Sequence, residues 1–191
     1  MILWMKISKP EIEIITLVLN GKKEYFQDIY NRHVRSIFLV CMRYTKNKHE
    51  AEDLLQDSFV QIYRKLDLYD SRKGEFIYWA KKVAINTCLQ HIRKNSIKYI
   101  ISNTTEMIQL PNESILNIFD HLSLQELTLV IQQLPEGYRT IFNMFVVDGY
   151  THKEISEKLN ISINTSKSQL FKARKQLLST LTQNGYEIKY G

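Results

Sequence analysis

The sequence predicts an all-α protein made of two small helical domains joined by a flexible linker. Only six Gly and three Pro are spread over 191 residues, and few runs alternate between polar and apolar residues as strands do. Apolar residues instead recur three and four positions apart, which is the spacing of a helix face. That periodicity lapses at residues 96–113, which are rich in Ser, Asn and Thr. We therefore place the first domain at residues 1–95, the linker at 96–120 and the second domain at 121–191.

The first two predicted helices cover residues 11–19 and 22–44. The helix at 11–19 is expected to end at Asn20-Gly21, since Gly readily takes the left-handed conformation that closes helices. In residues 22–44, apolar side chains return at threes and fours from Phe26 to Met42, which predicts a longer amphipathic helix. Ile12, Ile15 and Leu19 are predicted to share one face of the first helix.

A third helix is predicted at residues 49–66, after the polar break at 45–48. Acidic residues near a helix start are favoured by the helix dipole, so a purely structural explanation of the acidic cluster in its first half stays open. That cluster, with its amide, consists of Glu52, Asp53, Gln56 and Asp57. The buried stripe is expected to contain Ala51, Leu54, Leu55, Phe59, Ile62 and Leu66.

A polar loop at residues 67–74 precedes a fourth helix at 75–94. Its apolar side, expected to face mostly inward, includes Phe76 and Cys88, whereas its other side is basic. Cys41 and Cys88 both lie within apolar helical patterns without a CxxC or CxxH neighbour, so we expect two reduced core thiols and no metal site. The polar residues of the fourth helix are Lys81, Lys82, Asn86, Gln90, Arg93 and Lys94.

The second domain begins where helical periodicity returns, near residue 114. Ser123 and Glu126 have the S/T-x-x-E spacing of a capping box, in which hydroxyl and carboxylate satisfy each other's backbone N–H groups. The next helix is predicted to begin at Leu134-Pro135, because Pro suits a first helical turn. It is expected to end at Asp148-Gly149.

Residues 151–177 predict a helix-turn-helix. Thr151 and Glu154 repeat the capping-box pattern at the start of one short helix, and Ser162 is a suitable N-cap for the second. The second helix buries Leu170, Ala173 and Leu177, spaced i, i+3, i+7. Its other faces carry Thr165, Lys167, Ser168, Gln169, Phe171, Lys172 and Lys175. Such a helix suits a DNA major groove, where early residues meet base edges and cations neutralise phosphates.

Charge is distributed unevenly along the chain, whose net charge is +6. Residues 22–95 carry fifteen Lys and Arg against nine Asp and Glu, and residues 151–191 carry seven against three. Residues 96–134 between them carry one against four. Two basic blocks around an acidic middle favour a polyanionic partner. A solvated helical hairpin with ordinary surface lysines is the alternative that charge and periodicity leave open.

The amino terminus and the apolar runs bear on localisation. Residues 1–5 are apolar but lack the basic flank and the longer apolar core of a signal peptide. No run of eighteen apolar residues occurs in the sequence. We expect a cytoplasmic protein without membrane insertion.

Four segments occur in a specific order, with a variable linker after the second: AEDLLQDSFVQIYRKL, FIYWAKKVAINTCLQHIRK, LPEGYRTIF and SINTSKSQLFKARKQL. In this order they resemble the extracytoplasmic-function RNA polymerase sigma factors of the sigma-70 family, over nearly the whole chain. The resemblance implies that the first domain corresponds to sigma region 2 and the second to region 4. It implies core RNA polymerase and promoter DNA as partners, no cofactor, and no catalysis by the chain itself.

By this resemblance, the third helix of region 2 docks on the clamp helices of the largest polymerase subunit, at positions matched by Asp53, Gln56 and Asp57. The loop at 67–75 and the fourth helix would capture the melted minus-10 element, which requires cations and aromatic faces. Asn86 matches a base-contacting Asn, Phe76 is suited to stack on a base, and Trp79 is expected in the core. The phosphate candidates are Lys81, Lys82, Arg93 and Lys94.

Region 4 of the family reads the minus-35 element. Two positions depart from its usual pattern, because Ser166 and Gln169 stand where Val and Arg are common. Gln169 removes a phosphate contact but is able to pair with adenine. The loop at 148–150 and the helix at 135–147 are implied to dock on the polymerase flap. The positions that match the family's DNA contacts are Asn164, Thr165, Lys167, Ser168, Phe171 and Lys172.

Two other functional classes remain open from the sequence. A stand-alone helix-turn-helix regulator accounts for the second domain but leaves the acidic third helix and the basic fourth helix unexplained. A transposase or recombinase requires an acidic metal-binding triad, or a nucleophilic Ser or Tyr with arginines, and a small helical bundle offers neither. The resemblance further implies an anti-sigma factor that covers both functional surfaces until a signal releases it.

Overall fold

The computed structural model describes residues 9–101 and 124–183, and every structural statement below concerns these two ranges. Within them the chain forms helices and no strand. The first unit contains α1 (Glu11–Leu19), a 3₁₀ turn (Lys23–Tyr25), α2 (Phe26–Tyr44), α3 (Lys48–Arg64) and α4 (Phe76–Ile101). The second unit contains α5 (Leu124–Gln132), α6 (Glu136–Phe142) with a π-helical turn (Asn143–Val147), α7 (His152–Leu159) and α8 (Ile163–Gln183).

The first unit is a bundle in which α2, α3 and α4 pack against one another, and α1 packs on α2. The predicted stripe of α3 is buried, and both cysteines are free and buried, as expected. Of the three residues predicted to share a face of α1, Ile15 is buried, whereas Ile12 and Leu19 are each 51% exposed. Apolar residues occur almost all round this short helix, so its periodicity did not define one face. Packing on α2 selects the face with Ile14, Ile15 and Val18.

Helix ends follow local signals, with one exception. Gly21 has a φ of +89°, so it supplies the left-handed closure predicted after α1. The side chain of Asn47 accepts a hydrogen bond from the Glu50 N–H and starts α3. Helix α4 runs to Ile101, so residues 96–101 of the predicted linker are helical. No Gly or Pro occurs in that stretch to stop the helix. Residues 102–123, and with them the Ser123 cap, lie outside the described ranges.

In the second unit, α6 and α7 pack on α8, and α5 also contacts α8. The turn between α5 and α6 is held by the buried Arg139 guanidinium, which donates to the carbonyls of Gln132 and Leu134, each at 3.1 Å. The Gln132 carbonyl ends α5 and the Leu134 carbonyl lies just beyond it, so neither has an intrahelical partner. Burial lowers the pKa of Arg139.

None of the helices in the described residues is both long and apolar enough to cross a bilayer.

The two units also pack against each other through the carboxyl end of α2, a contact that the sequence did not predict. The last carbonyls of a helix need outside donors, and here the second unit supplies them. Gln132 Nε2 donates to the Met42 carbonyl at 2.9 Å, and Asn143 Nδ2 donates to the Arg43 carbonyl at 2.6 Å. We call this region, together with the Asp148 interactions described next, the inter-domain contact.

Asp148 completes the inter-domain contact from the end of the π-helical turn. Its carboxylate accepts from Tyr44 Oη at 2.6 Å and from Arg43 Nη2 at 3.0 Å. Burial, and then the nearby Asp148 charge, hold the pKa of the Tyr44 phenol well above its usual value, so the hydroxyl stays a donor. The contact thus places α4 beside α6 and α7.

Candidate nucleic-acid interface

The acidic cluster of α3 lies on the surface, opposite the buried stripe. Asp53, Gln56 and Asp57 are all exposed, and their i, i+3, i+4 spacing places them on one face of the helix. The side chains that anchor this helix, Leu54 and Phe59 among them, point into the bundle. The face is therefore accessible to a basic partner along its length.

Helix α4 presents a broad polar face. Lys82, Asn86 and Arg93 are exposed and lie four and eleven residues apart, roughly one and three helical turns, so they share one side. Lys81, half-buried, and Lys94, exposed, flank this side. The predicted minus-10 residues other than Phe76 thus form one basic surface with a central amide, suited to a nucleic-acid backbone.

Phe76 is not part of that surface, which agrees with its place on the apolar side of the helix and corrects the prediction that it stacks on a base. Its side chain is 1% exposed, because the first turn of α4 faces inward toward α2 and the loop. Its ring lies 5.3 Å from those of His33 and Tyr69. Trp79, predicted in the core, is half-buried and packs on Phe76. Tyr78 is 62% exposed and supplies the aromatic surface instead; its position two residues from both Phe76 and Ala80 was the signal for an outward side chain.

The loop between α3 and α4 encloses a cavity of about 210 Å³ next to the basic face. Asp70 shapes the loop, since its carboxylate accepts from the backbone N–H, Nε and Nη2 of Arg72. These hydrogen bonds lower the pKa of Asp70. Tyr69 Oη donates to the Gly74 carbonyl at 3.0 Å, and Gly74 has a φ of +139°. The lining includes Tyr69, Lys73, Gly74, Tyr78, Trp79 and Lys82. Aromatic rings and ammonium groups therefore converge at the predicted base-pocket loop.

The helix-turn-helix has the predicted capping. The Glu154 N–H donates to Thr151 Oγ1 at 3.2 Å and the Thr151 N–H donates to Glu154 Oε2 at 2.8 Å. The N–H and the hydroxyl of Thr151 both donate to the Glu154 carboxylate, which lowers the pKa of Glu154. Asn160, with a φ of +54°, makes the left-handed turn. Ser162 Oγ then accepts from the Thr165 N–H at 2.9 Å, so α8 begins at Ile163 as predicted.

The first turns of α8 bury three of the residues predicted to face DNA. Thr165, Ser168 and Gln169 are each less than 10% exposed. The physical reason is that α5, α6 and α7 all contact α8, so its buried arc is wider than the apolar stripe. Ser168 Oγ donates inward to the Thr165 carbonyl at 3.0 Å, which lets a hydroxyl be buried without losing its hydrogen bond.

Ser166, at a position where Val is common in the resembled family, is also buried. Its Oγ lies 2.8 Å from Nδ1 of His152, whose ring stacks on Phe145 at a centroid distance of 4.4 Å. Burial, then Lys167 and Arg174, lower the pKa of His152, which favours the neutral ring. Ser166 therefore joins α8 to α7 by a polar contact instead of an apolar one.

The outward residues of α8 are fewer than predicted. Asn164 and Lys167 are exposed, while Phe171 and Lys172 are half-buried. Ile163, which is not among the predicted contact residues, is 43% exposed at the amino end of the helix. No signal in the sequence marked it as exposed, because it lies seven residues before Leu170 and therefore on the predicted apolar face.

Comparison with known proteins gives two family matches, in chain order. The model for Sigma-70 region 2 matches residues 29–97, and the model for Sigma-70, region 4 matches residues 124–177. Two Bacillus subtilis (strain 168) proteins are each 31% identical. The ECF RNA polymerase sigma factor SigW aligns over 87% of this chain and 94% of its own length, and the ECF RNA polymerase sigma factor SigM over 78% and 91%.

A similar solved structure is that of the sigma factor RpoE in complex with the anti-sigma factor NepR, from Bartonella quintana. Its sequence is 18% identical, its TM-score is 0.48, and the match covers 82% of this chain and 96% of that one.

Proposed function

This chain belongs to the extracytoplasmic-function sigma factors of the sigma-70 family, and we propose that it binds core RNA polymerase and directs promoter-specific initiation of transcription. The observation that carries the proposal is the match of SigW along 87% of the chain at 31% identity. The matches to regions 2 and 4 fall on the two structural units in that order.

Each exposed surface is then assigned one binding partner. The acidic face of α3, with Asp53, Gln56 and Asp57, docks on the clamp helices of the largest subunit. The basic face of α4 and the cavity beside it hold the melted minus-10 strand, because cations follow the backbone and aromatic rings receive unstacked bases. Helix α8 enters the major groove of the minus-35 element. Residues 135–150 contact the polymerase flap.

Binding both promoter elements requires the two units to separate. Elements at minus 10 and minus 35 lie 25 base pairs apart, about 85 Å of B-form DNA. Helix α4, with 26 residues, spans about 39 Å, and α7 is in contact with it. The packed arrangement therefore brings the two DNA-binding surfaces too close for simultaneous binding, and we propose that promoter engagement breaks the inter-domain contact.

A run-off transcription assay tests the proposal. Core RNA polymerase of Bacillus subtilis is incubated with a DNA fragment that carries the region upstream of this protein's own gene. The reaction is run with and without the protein. Transcripts that start at one position only when the protein is present are expected. Tight protection of duplex DNA without polymerase, and no transcript, would instead favour a stand-alone regulator.

The docking surface has its own test on the full chain. Changing Asp53 and Gln56 together to Ala is expected to weaken polymerase binding at least tenfold. The free energy of unfolding is expected to stay unchanged. The matched control changes Glu24 and Gln27 to Ala, because these residues are also exposed and also three apart. Equal losses in both double variants would contradict the assignment of α3.

Three further properties belong to the same proposal. The chain acts as an initiation factor, and the polymerase performs the chemistry. It works on chromosomal DNA, which places it in the bacterial cytoplasm. The anti-sigma partner stays a prediction, to be checked by co-purification with the full chain.

A further inference from the structure

The first two turns of α8, residues 163–169, present a small and chemically mixed set of side chains to solvent. Thr165, Ser166, Ser168 and Gln169 are buried. The exposed residues of this segment are Ile163, Asn164 and Lys167. The predicted contact residues of these two turns are all polar, whereas the exposed set includes an aliphatic side chain at the start of the helix.

Position on the helix singles out Ile163 among the exposed aliphatic residues. It is the first residue of α8, directly after the Ser162 cap, and the early residues of a recognition helix meet base edges. Ile163, Lys167 and Phe171 follow one another at i, i+4 and i+8, so they form one stripe along the helix. Ile12 and Leu129 are at least as exposed but lie on α1 and α5.

The chemistry of the major groove determines what an aliphatic side chain can recognise there. Base edges present hydrogen-bond donors and acceptors, and the C5-methyl group of thymine is the apolar feature among them. An Ile side chain against any other base leaves polar groups without partners. Against thymine it buries a methyl group, whereas Asn164 suits adenine and Lys167 suits guanine.

We propose that Ile163 is a specificity-determining residue of minus-35 recognition, through apolar contact with the C5-methyl group of one thymine. The inference rests on the proposed function and adds a residue and a base to it. Burial of one methyl group corresponds to about a fourfold change in binding.

Deoxyuridine provides the probe, because it differs from thymidine only by lacking that methyl group. Run-off templates carry deoxyuridine in place of each thymine of the minus-35 element in turn, after the start site has been mapped. Full-length protein with core polymerase is assayed as the wild type, Ile163→Ala and Ile163→Val. The matched control is Ile12→Ala, which removes an exposed Ile far from α8.

One substituted position is expected to lower wild-type transcription about two- to fourfold. Ile163→Ala is expected to be weaker on the thymine template and to show no further loss on deoxyuridine at that position. Ile163→Val should keep most of the wild-type difference, and Ile12→Ala should keep all of it.

Two results would overturn the inference while transcription is intact. In one, no thymine of the element responds to deoxyuridine in the wild type. In the other, Ile163→Ala shows the full wild-type loss of transcription on deoxyuridine, so a residue other than Ile163 contacts the thymine methyl group. A chain that directs no transcript from the unmodified template instead overturns the proposed function itself, which keeps the two failures distinguishable.

Discussion

Helices α4 and α8 are both assigned to DNA, yet they expose their predicted contact residues to different extents. Along α4, Lys82, Asn86 and Arg93 form one open face. Along α8, Asn164 and Lys167 are exposed, while three predicted contacts are buried. Helix α4 packs chiefly on α2 and α3, whereas α8 contacts α5, α6 and α7. A helix enclosed by three neighbours retains a narrow reading edge, which suits a groove, while a broad face suits a single strand.

The largest expected effect on stability distinguishes Phe76 from Tyr78, two aromatic residues in the first turn of α4. Phe76→Ala should lower the free energy of unfolding by about 3 to 5 kcal/mol, because it empties a buried aromatic site. Tyr78→Ala should change it by less than about 0.5 kcal/mol and should instead reduce promoter melting. Denaturant titration and permanganate footprinting measure the two quantities. A stable Phe76→Ala protein with defective melting would restore Phe76 to the DNA surface.

A substitution at Asp148 tests whether its hydrogen bonds across the inter-domain contact hold the two DNA-binding units together. Asp148→Ala leaves the Tyr44 hydroxyl and the Arg43 guanidinium without their shared carboxylate and should cost about 2 to 4 kcal/mol. The radius of gyration from X-ray scattering should rise while helix content is retained. Glu157→Gln, an exposed acid on α7, is the control. An unchanged radius in Asp148→Ala would show that the remaining contacts, including the Gln132 and Asn143 hydrogen bonds to α2, hold the units together without Asp148.

Within α8, one substitution on each side of the helix sharpens the comparison. Lys167→Ala should lower affinity for promoter DNA by about 1 to 3 kcal/mol and leave the melting temperature unchanged. Gln169→Ala should lower stability by about 1 to 2 kcal/mol, since its side chain is buried, with little change in sequence preference. Thermal melts and competition binding with the polymerase complex distinguish them. Loss of adenine preference in a stable Gln169→Ala protein would show that Gln169 reads DNA.

The smallest effects concern the start of the helix-turn-helix. Thr151→Ala should cost about 1 kcal/mol through loss of an N-cap. The pKa of Glu154 is lower folded than unfolded, so its stabilising effect is present above the unfolded value and is lost as pH falls through the folded one. Glu154→Gln should therefore flatten the decline of stability below about pH 4.5. A variant that follows the wild-type acid transition would remove Glu154 from that balance.

Local signals in the sequence account for much of the fold and for the order of its functional surfaces. Periodicity located α2, α3 and the helix-turn-helix, and the Thr151–Glu154 and Ser162 caps were confirmed atom by atom. Such features depend on neighbours within four residues, so they can be predicted from the sequence. The same periodicity placed Asp53 and Asn86 on open faces. The family resemblance was confirmed by the matches to regions 2 and 4.

Tertiary packing decided what local pattern left undetermined. The buried face of α1 and the burial of Gln169 depend on which helices lie alongside. The bonds from Asp148 to Arg43 and Tyr44 join residues more than one hundred positions apart. Periodicity along a helix reports one apolar stripe, whereas the number of neighbouring helices sets how wide the buried arc becomes. For that reason the sequence alone determined the fold class and the family, and the tertiary structure decided which side chains remain available to DNA.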